Sequence, residues 1–302
     1  MVKGVSEMRR YQTLSGSRNF LYEIQNKQWK GEVHSVFKRT INIMSDSGKL
    51  YTLSAEELDN APNTLRVTAL FNTIPQIIGD IPVFSRNGQL IIDGIAKIEI
   101  KNAKKWHYPQ IEFPKEQEYL KIKRRVMQLN EWLLQIENKG GYLLNNIRAT
   151  TYEKMIHRML WEESDKLVNY LKEKQLFYAM KQLNRVIGLG PGLTPSGDDF
   201  LVGLALIFTT VNYPYHSLQQ WLINNREEMK KRTNIISFST LDWAIKGESR
   251  ERIGLFLNEL FYGKDEDVLK EKTLAVLAIG SSSGGDVLTG MLAGIKLTLD
   301  LL

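Results

Sequence analysis

The chain contains no cysteine and only four histidines among its 302 residues. The absence of cysteine excludes disulfide bonds, thiolate nucleophiles and cysteine metal ligands. The histidines are far apart and lack the spacing of metal ligands, so we interpret each as a surface or core residue rather than a catalyst. They are His34, His107, His157 and His216.

Long apolar runs are also missing. No stretch is long and apolar enough to span a bilayer, which argues against a membrane partner. The N-terminal segment carries charge but lacks the apolar core of a signal peptide. These two absences lead us to expect a cytoplasmic location.

The composition is that of an ordinary globular protein, with 43% hydrophobic and 25% charged residues. A length of 302 residues suggests two domains. The net charge is +6, but the basic residues are scattered. We interpret Lys121, Arg124 and Arg125 as part of a solvated helix face, with no nucleic-acid-binding module beside them. We therefore expect no nucleic-acid partner, and expect the positive charge to steer small anions.

The sequence pattern changes near residue 110. Before that point, short β-type runs alternate with turn signals, among them Asn87-Gly88, a strong hairpin signal. After Pro109 the apolar residues recur with a helical period. The pattern predicts an α+β fold with a small, mainly antiparallel β domain over residues 1–110. A mainly α-helical domain follows over residues 111–302 and carries two glycine-rich helix-entry corners.

Turn and cap signals set the bounds of the predicted elements. The predicted strands cover residues 33–37, 40–44, 50–53, 81–84, 90–92 and 95–100. The predicted helices cover residues 120–136, 151–171, 177–186, 197–211, 217–231, 233–245, 251–261, 266–278 and 285–302.

The run GLGPGLTPSGDDFLVG, residues 188–203, is the most informative stretch. Its glycines and prolines exclude a regular helix or strand at its start, yet a long apolar segment follows directly. This pattern predicts a tight loop that leads into the N-terminus of a buried helix. Unpaired N–H groups and the helix dipole attract anions at such a terminus. Glycine also lets a ligand approach the backbone closely.

The pattern S-G-x-D-x-L-x-G occurs twice, beginning at Ser196 and again 87 residues later at Ser283. We predict that these two corners line one pocket, because the apolar helices that follow them must pack together. A structural alternative is a capping box in each copy, with serine as the N-cap and Asp199 or Asp286 three residues later. Capping does not require Asp198 or the density of glycines, so both interpretations remain open.

The carboxylates Asp198, Asp199 and Asp286 are the candidate catalytic residues. Adjacent carboxylates would repel an anion unless they are neutralised, and Mg²⁺ is the candidate cofactor, held by Asp198 and Asp199. The alternative is that these aspartates bind N–H groups at the helix starts. No cofactor other than this Mg²⁺ is indicated.

The candidate substrate-binding residues are glycines, hydroxyls and one amide from the two corners and from the segment after Arg232. For that segment an ordinary N-cap is an equal alternative. A nucleophilic role for Ser196 or Ser283 is unsupported, since neither has a histidine or lysine nearby in sequence. The candidates are Gly190, Gly192, Thr194, Ser196, Gly197, Thr233, Asn234, Ser237, Ser282, Ser283, Gly284 and Gly285.

Three segments of the chain resemble a bacterial protein family that includes the AllH-type subunit of oxamate carbamoyltransferase, which acts in purine (allantoin) catabolism. They are GLGPGLTPSGDDFLVG, RTNIISFSTLDWAIKG (residues 232–247) and IGSSSGGDVLTG (residues 279–290). GEVHSVFKRTINI and the AKKW segment fit the family's N-terminal part. The chain departs from the family at Ser281, where a histidine is common, and this puts a role for that histidine in doubt here.

The resemblance implies a part in converting oxalurate and phosphate to oxamate and carbamoyl phosphate, alongside two other subunits. It therefore implies a small anionic substrate and a hetero-oligomer. Two other functions stay open. One is a non-catalytic anion-binding or assembly subunit, and the other is a stand-alone metal-dependent hydrolase.

Overall fold

The computed structural model describes residues 8–70, 79–137 and 140–301. The chain divides into two compact units between Tyr108 and Pro109. The fold is mixed, because the first unit is a barrel-like sheet and the second is helical. Within the described ranges, no helix has the length and apolar character needed to cross a membrane.

In the described residues of the first unit, nine strands form one sheet, and helix α1 follows the first strand. The strand order is β5-β4-β3-β2-β6-β7-β8-β1-β9, and β5 also pairs with β1, so the sheet closes on itself. Closure removes most of the exposed edge of the sheet. The elements are β1 (Arg9–Ser17), α1 (Arg18–Asn26), β2 (Lys30–Val36), β3 (Thr40–Ser45), β4 (Leu50–Ala55), β5 (Thr64–Val67), β6 (Pro82–Arg86), β7 (Gln89–Ile92), β8 (Ala96–Glu99) and β9 (Lys104–Trp106).

Strand pairing in this sheet is mostly antiparallel, as the alternating pattern predicts. The hairpin at Asn87-Gly88 is confirmed, since Arg86 pairs with Gln89 and both turn residues have positive φ angles of 53° and 71°. Three pairings are parallel, namely β1 with β8, β1 with β9 and β4 with β5. A parallel pair needs a crossover connection, which local turn signals do not reveal.

The sequence patterns missed β1 and α1. The buried positions of β1 include Thr13 and Ser15 as well as Tyr11. The hydroxyl of Ser15 donates to Asn60 Oδ1 at 2.6 Å, which satisfies it inside the barrel. Because polar residues occupy inward positions, β1 lacks the apolar alternation by which a half-buried strand is recognised.

The second unit consists of helices joined by short connections, with two short 3₁₀ turns at residues 116–118 and 141–143. Most predicted helices are present, but the one predicted over residues 217–231 is interrupted at Asn225. The helices are α2 (Tyr119–Leu133), α3 (Thr151–Lys172), α4 (Leu176–Val186), α5 (Ser196–Phe208), α6 (His216–Asn224), α7 (Arg226–Arg232), α8 (Ile235–Ile245), α9 (Glu251–Tyr262), α10 (Glu266–Leu277) and α11 (Ser283–Leu301).

Arg125 corrects the interpretation of the basic residues on α2. It is buried, and its Nη1 donates to the carbonyl oxygens of Glu259, Leu260 and Gly263 at 2.8, 2.9 and 3.0 Å. These carbonyls lie at the end of α9, where that of Glu259 also accepts from Gly263 N–H at 2.9 Å. Arg125 therefore belongs to the interior, whereas Lys121 and Arg124 are exposed.

Candidate functional site

The candidate site forms where α5 and α11 begin. Every residue of α5 is buried, and α11 is its main packing partner. The two helices cross at Gly203 and Gly290, where a Cβ on Gly203 would lie 2.0 Å from the carbonyl oxygen of Val287. A Cβ on Gly290 would lie 2.0 Å from the carbonyl oxygen of Phe200. The last glycine of each S-G-x-D-x-L-x-G copy therefore permits the close crossing that brings the two helix starts together.

The second residue of each motif packs against the end of a preceding helix. A Cβ on Gly197 would lie 1.9 Å from the carbonyl oxygen of Val186, at the end of α4. A Cβ on Gly284 would lie 1.9 Å from the carbonyl oxygen of Val276, near the end of α10. The two corners thus repeat one packing arrangement as well as one sequence pattern.

The N–H groups of these two glycines are already bonded within the protein. Gly197 N–H donates to the carbonyl of Leu189 at 2.8 Å, and Gly284 N–H donates to that of Ile279 at 3.0 Å. The structure thus gives Gly197 and Gly284 a packing role, and their N–H groups are not open to an anion.

The capping box predicted for the first motif is wrong, because the helix begins one residue earlier than that prediction requires. Helix α5 begins at Ser196, its N-cap is Pro195, and no side chain caps it. The N–H groups of Asp198 and Asp199 bond to the carbonyl of Pro195. The side chains of Ser196 and Asp199 are thereby left for other contacts.

Asp198 is buried and binds three donors from separate segments. Its Oδ1 accepts from Gly188 N–H at 2.6 Å, and its Oδ2 accepts from the hydroxyls of Thr233 and, at 2.6 Å, Ser237. The glycine loop, the start of α5 and the start of α8 are joined through this one carboxylate. Thr233 and Ser237 therefore reach the corner through Asp198.

Asn234 acts as the N-cap of α8, which was the ordinary alternative for this position. Its side-chain oxygen accepts from the N–H groups of Ile236 and Ser237 at 3.0 and 3.1 Å. Its Nδ2 also donates to the carbonyl of Leu193 at 2.7 Å. The residue thus caps the helix and holds the glycine loop at the same time.

Asp199 and Asp286 each face a serine of the other motif. The hydroxyl of Ser283 faces Asp199, while that of Ser196 faces Asp286. Ser283 Oγ also lies 3.1 Å from Thr194 Oγ1 in the first corner. Each motif therefore supplies the hydroxyl group that faces the carboxyl group of the other, and the corners lie side by side.

Burial raises the pKa of both aspartates. The pKa of Asp199 lies well above its usual range because of desolvation, with a further increase from the charges of Asp286 and Asp198 that the Ser283 hydroxyl partly offsets. Burial raises the pKa of Asp286 to about 6, against the hydrogen bond from Tyr142 N–H and the hydroxyls of Ser196 and Ser282. Both carboxyl groups therefore hold a proton more tightly than an exposed aspartate does.

Each of these carboxyl groups has one oxygen without a partner. Among the residues that the structure describes, neither Asp199 Oδ2 nor Asp286 Oδ2 has a hydrogen-bond partner, although both are buried. Unpaired buried polar atoms are costly and few in folded proteins. The carboxyl pair is one of the few points in the described part of the unit where they occur, together with Arg125 Nη2 and Asn184 Oδ1.

A segment that sequence reasoning did not single out closes one side of this pair. Gly141 has a φ of +62°, and a Cβ there would lie 1.9 Å from Asp286 Oδ1. Tyr142 N–H donates to that same oxygen at 2.8 Å. The sequence predicts only that a helix over residues 120–136 ends before this segment, and nothing local indicates a partner 144 residues away.

The exposed part of the first corner is the stretch from Gly190 to Thr194, which we call the lip. Gly190 and Gly192 have φ angles of +114° and +95°, and a Cβ on Gly192 would meet nothing within 4 Å. In the part of the chain that the structure describes, the N–H groups of Gly190, Gly192, Leu193 and Thr194 have no acceptor. Across the lip lies Ser283, preceded by Ser282 and the exposed Ser281.

Comparison with known families identifies the chain. The family model described as oxamate carbamoyltransferase subunit AllH matches residues 186–295, and the AllH family N-terminal domain matches residues 12–105. The chain belongs to the AllH family. This confirms the resemblance carried by the glycine loop, and both copies of S-G-x-D-x-L-x-G lie within the first matched range of this AllH chain. A comparison with solved structures gives no match.

Two further findings bear on the AllH-family site. Within the described ranges, no group of three His, Cys, Asp or Glu side chains could hold a metal ion. Both oxygens of Asp198 accept hydrogen bonds from within the protein, so this carboxylate has partners without a metal ion. A cavity of about 680 Å³ also lies in the helical unit, but none of the predicted site residues lines it.

Proposed function

We propose that this protein is a subunit of an oxamate carbamoyltransferase and acts within a hetero-oligomer in purine (allantoin) catabolism. The support is the AllH family membership of both units. The supporting observation in the structure is the buried Asp199–Asp286 pair next to the lip, because burial raises the pKa of both carboxyl groups and so favours their protonated forms.

The reaction needs one proton and several anion-binding groups. A phosphate oxygen attacks the ureido carbonyl carbon of oxalurate, the bond from that carbon to the amide nitrogen breaks, and carbamoyl phosphate forms. The departing nitrogen takes up a proton and becomes the amide of oxamate. A general acid at this nitrogen and donors for the developing negative charge would both lower the barrier.

Asp199 suits the role of proton source. Burial raises the pKa of its carboxyl group, which faces Ser283, and the Ser283 hydroxyl lies 3.1 Å from that of Thr194 at the lip. We assign this chain of hydroxyls as the path by which a proton passes from Asp199 to the departing nitrogen, and in the reverse direction Asp199 takes the proton back along the same path. The proton that hydrogen phosphate loses on attack restores Asp199 to its protonated form. Asp286 is the neighbouring carboxyl group whose charge helps to raise the pKa of Asp199.

The lip suits a small anion. The N–H groups of Gly190, Gly192, Leu193 and Thr194 are unbonded within the described structure, and the positive φ of the two glycines orients successive amides. Successive amides in such conformations form concave sites for phosphate or carboxylate. The sequence predicts an anion at the first turn of α5. We propose instead that the anion binds between the lip and the segment Ser281–Ser283.

A second candidate is a non-catalytic subunit that binds the anion for a partner that performs the chemistry. Ser281 favours it, because the resemblance implies a histidine at this exposed position and a hydroxyl is a weaker acid–base group. The two candidates share the binding site but differ in what Asp199 does.

The deciding experiment expresses the chain together with the products of its neighbouring genes and measures carbamoyl phosphate formed from oxalurate and phosphate. If Asp199 supplies the proton, Asp199→Asn lowers kcat by about 10²-fold, as loss of a general acid does. Asp267→Asn, at the exposed start of α10, is the matched control and should keep full activity.

The other functions predict different results in the same assay. Full turnover by the Asp199→Asn complex would identify a non-catalytic subunit and overturn the assignment of Asp199. Turnover of a substrate by the isolated chain, dependent on added Mg²⁺, would identify the metal-dependent hydrolase.

A further inference from the structure

A cavity of about 680 Å³ in the helical unit is not used by the proposed function. It lies among α2, α3, α11 and the 3₁₀ turn at residues 141–143. Its volume falls within the range typical of small-molecule sites, which are mostly apolar with a few placed polar groups. Its lining shows what kind of molecule would fit.

The apolar part of the lining is aromatic. Tyr142 stacks on Phe200 with ring centroids 4.9 Å apart and an interplanar angle of 24°. Trp161 meets Tyr142 edge to face at 5.5 Å. These rings are fixed, because Trp161 Nε1 donates to the carbonyl of Tyr142 at 3.0 Å and the Tyr142 hydroxyl bonds Ser164. A rigid aromatic wall of this kind binds the flat or apolar body of an organic molecule.

The charged side chains of the lining differ in whether they have an ion-pair partner. Lys172 is neutralised by Asp300, with Nζ and Oδ2 2.9 Å apart. Lys296 also lines the cavity and is exposed, but it forms no ion pair with any residue that the structure describes. Asp165 lines the cavity too, and it accepts a hydrogen bond from Asn169 at 3.1 Å. An unpaired ammonium group beside an apolar wall suits a ligand with one negative charge.

We propose that this cavity is a binding site for an amphipathic organic anion. The anionic group of the ligand pairs with Lys296, and its apolar or aromatic body packs against Tyr142, Trp161 and Phe200. The same wall reaches the carboxyl pair, since Tyr142 N–H holds Asp286 at 2.8 Å. A ligand here would therefore stabilise the backbone segment that orients Asp286.

Two fluorescent probes of similar shape test the proposal. Anilinonaphthalene sulfonate carries one negative charge, whereas phenylnaphthylamine has the same rings and no charge. The full-length protein should bind the charged probe saturably at one site. Lys296→Met should weaken that binding about tenfold, the size expected for a lost contact with a charged group, and leave the neutral probe unaffected. Lys270→Met, on α10 and outside the lining, is the control.

Variants that fill the cavity test the location. Ala293→Phe and Asn169→Phe place a ring in the lining on two different helices, so one remains informative if the other misfolds. Each folded variant should lose binding of both probes. Unchanged binding in a folded filling variant would place the probe elsewhere and overturn the site. Equal weakening of both probes by Lys296→Met would overturn recognition of the anion.

Discussion

Gly203 and Gly290 lie against each other where α5 crosses α11, and neither position has room for a side chain. A Cβ on Gly290 would approach the Cα of Gly203 to 3.1 Å and the carbonyl oxygen of Phe200 to 2.0 Å. The atoms in the way are backbone, so they cannot move aside without separating the helices. The distance between the two helix starts, and with it the Asp199–Asp286 pair, depends on this contact.

We expect Gly203→Ala to lower the free energy of unfolding by about 2–3 kcal/mol, the usual cost of overpacking a core. Denaturant unfolding measures the change. Gly79→Ala is the control, because a Cβ there would come no closer than 3.7 Å to any atom and φ is not positive. Equal stability of the two variants would show that the crossing adapts more easily than its geometry indicates.

Asp198→Ala should reduce the free energy of unfolding by about 3 kcal/mol, because one backbone N–H and two hydroxyls, all at least partly buried, lose their carboxylate acceptor. From sequence alone, capping gave Asp198 no role. Its donors are Gly188 N–H, Thr233 Oγ1 and Ser237 Oγ. The control is Asp165→Ala, an exposed aspartate in the same unit, and thermal unfolding of both proteins gives the answer.

The pH dependence of stability should carry a contribution from Asp286. Its pKa rises from 3.8 to about 6 on folding, so between these values the folded chain holds more protons than the unfolded chain. The free energy of unfolding therefore falls as pH rises through this window, by roughly 3 kcal/mol from this group alone. The contribution is fully present below the unfolded pKa and is lost above the folded one.

Asp286→Asn removes this titration but keeps an oxygen that can accept from Tyr142 N–H. We expect the variant to be more stable than the parent above pH 6 and to lose much of the slope below it. Urea unfolding at a series of pH values compares the two proteins. An unchanged slope would mean that Asp286 does not titrate in this window.

Arg125→Ala should destabilise the helical unit by about 3 kcal/mol, since the carbonyls that end α9 lose a cationic donor. Arg124→Ala removes an exposed neighbour on the same helix and should change stability little. Denaturant midpoints of the two variants separate the buried role of Arg125 from the general effect of losing a positive charge.

Much of the helical unit could be predicted from sequence, because an amphipathic helix is recognised by the local periodicity of its apolar residues. The repeated corner was also visible, since glycine, serine and aspartate recur at fixed spacing at Ser196 and Ser283. Helix register was less certain. The cap of α5 falls on Pro195 because Ser196 and Asp199 are turned toward the other motif.

The partners of the carboxyl groups could not be read from local patterns. Asp286 is held by Tyr142 and Asp198 by Thr233, pairs that are 144 and 35 residues apart. Such pairings follow from how helices pack, and a single sequence carries no spacing that encodes them. The lip was predicted as part of the corner. Only the backbone hydrogen bonds of the structure show that the N–H groups of Gly197 and Gly284 are occupied, whereas those of the lip are not.

The position of β1 has a consequence for how the first unit acquires its structure. This strand precedes the other described strands of the unit in the sequence, yet its partners are β5, β8 and β9, the last of which ends at Trp106. Its hydrogen bonds must wait until most of the unit has been synthesised, and the loops that they close are long. Contacts of large sequence separation slow folding. The β unit should therefore complete its barrel in one late step, after the whole of its sequence is available.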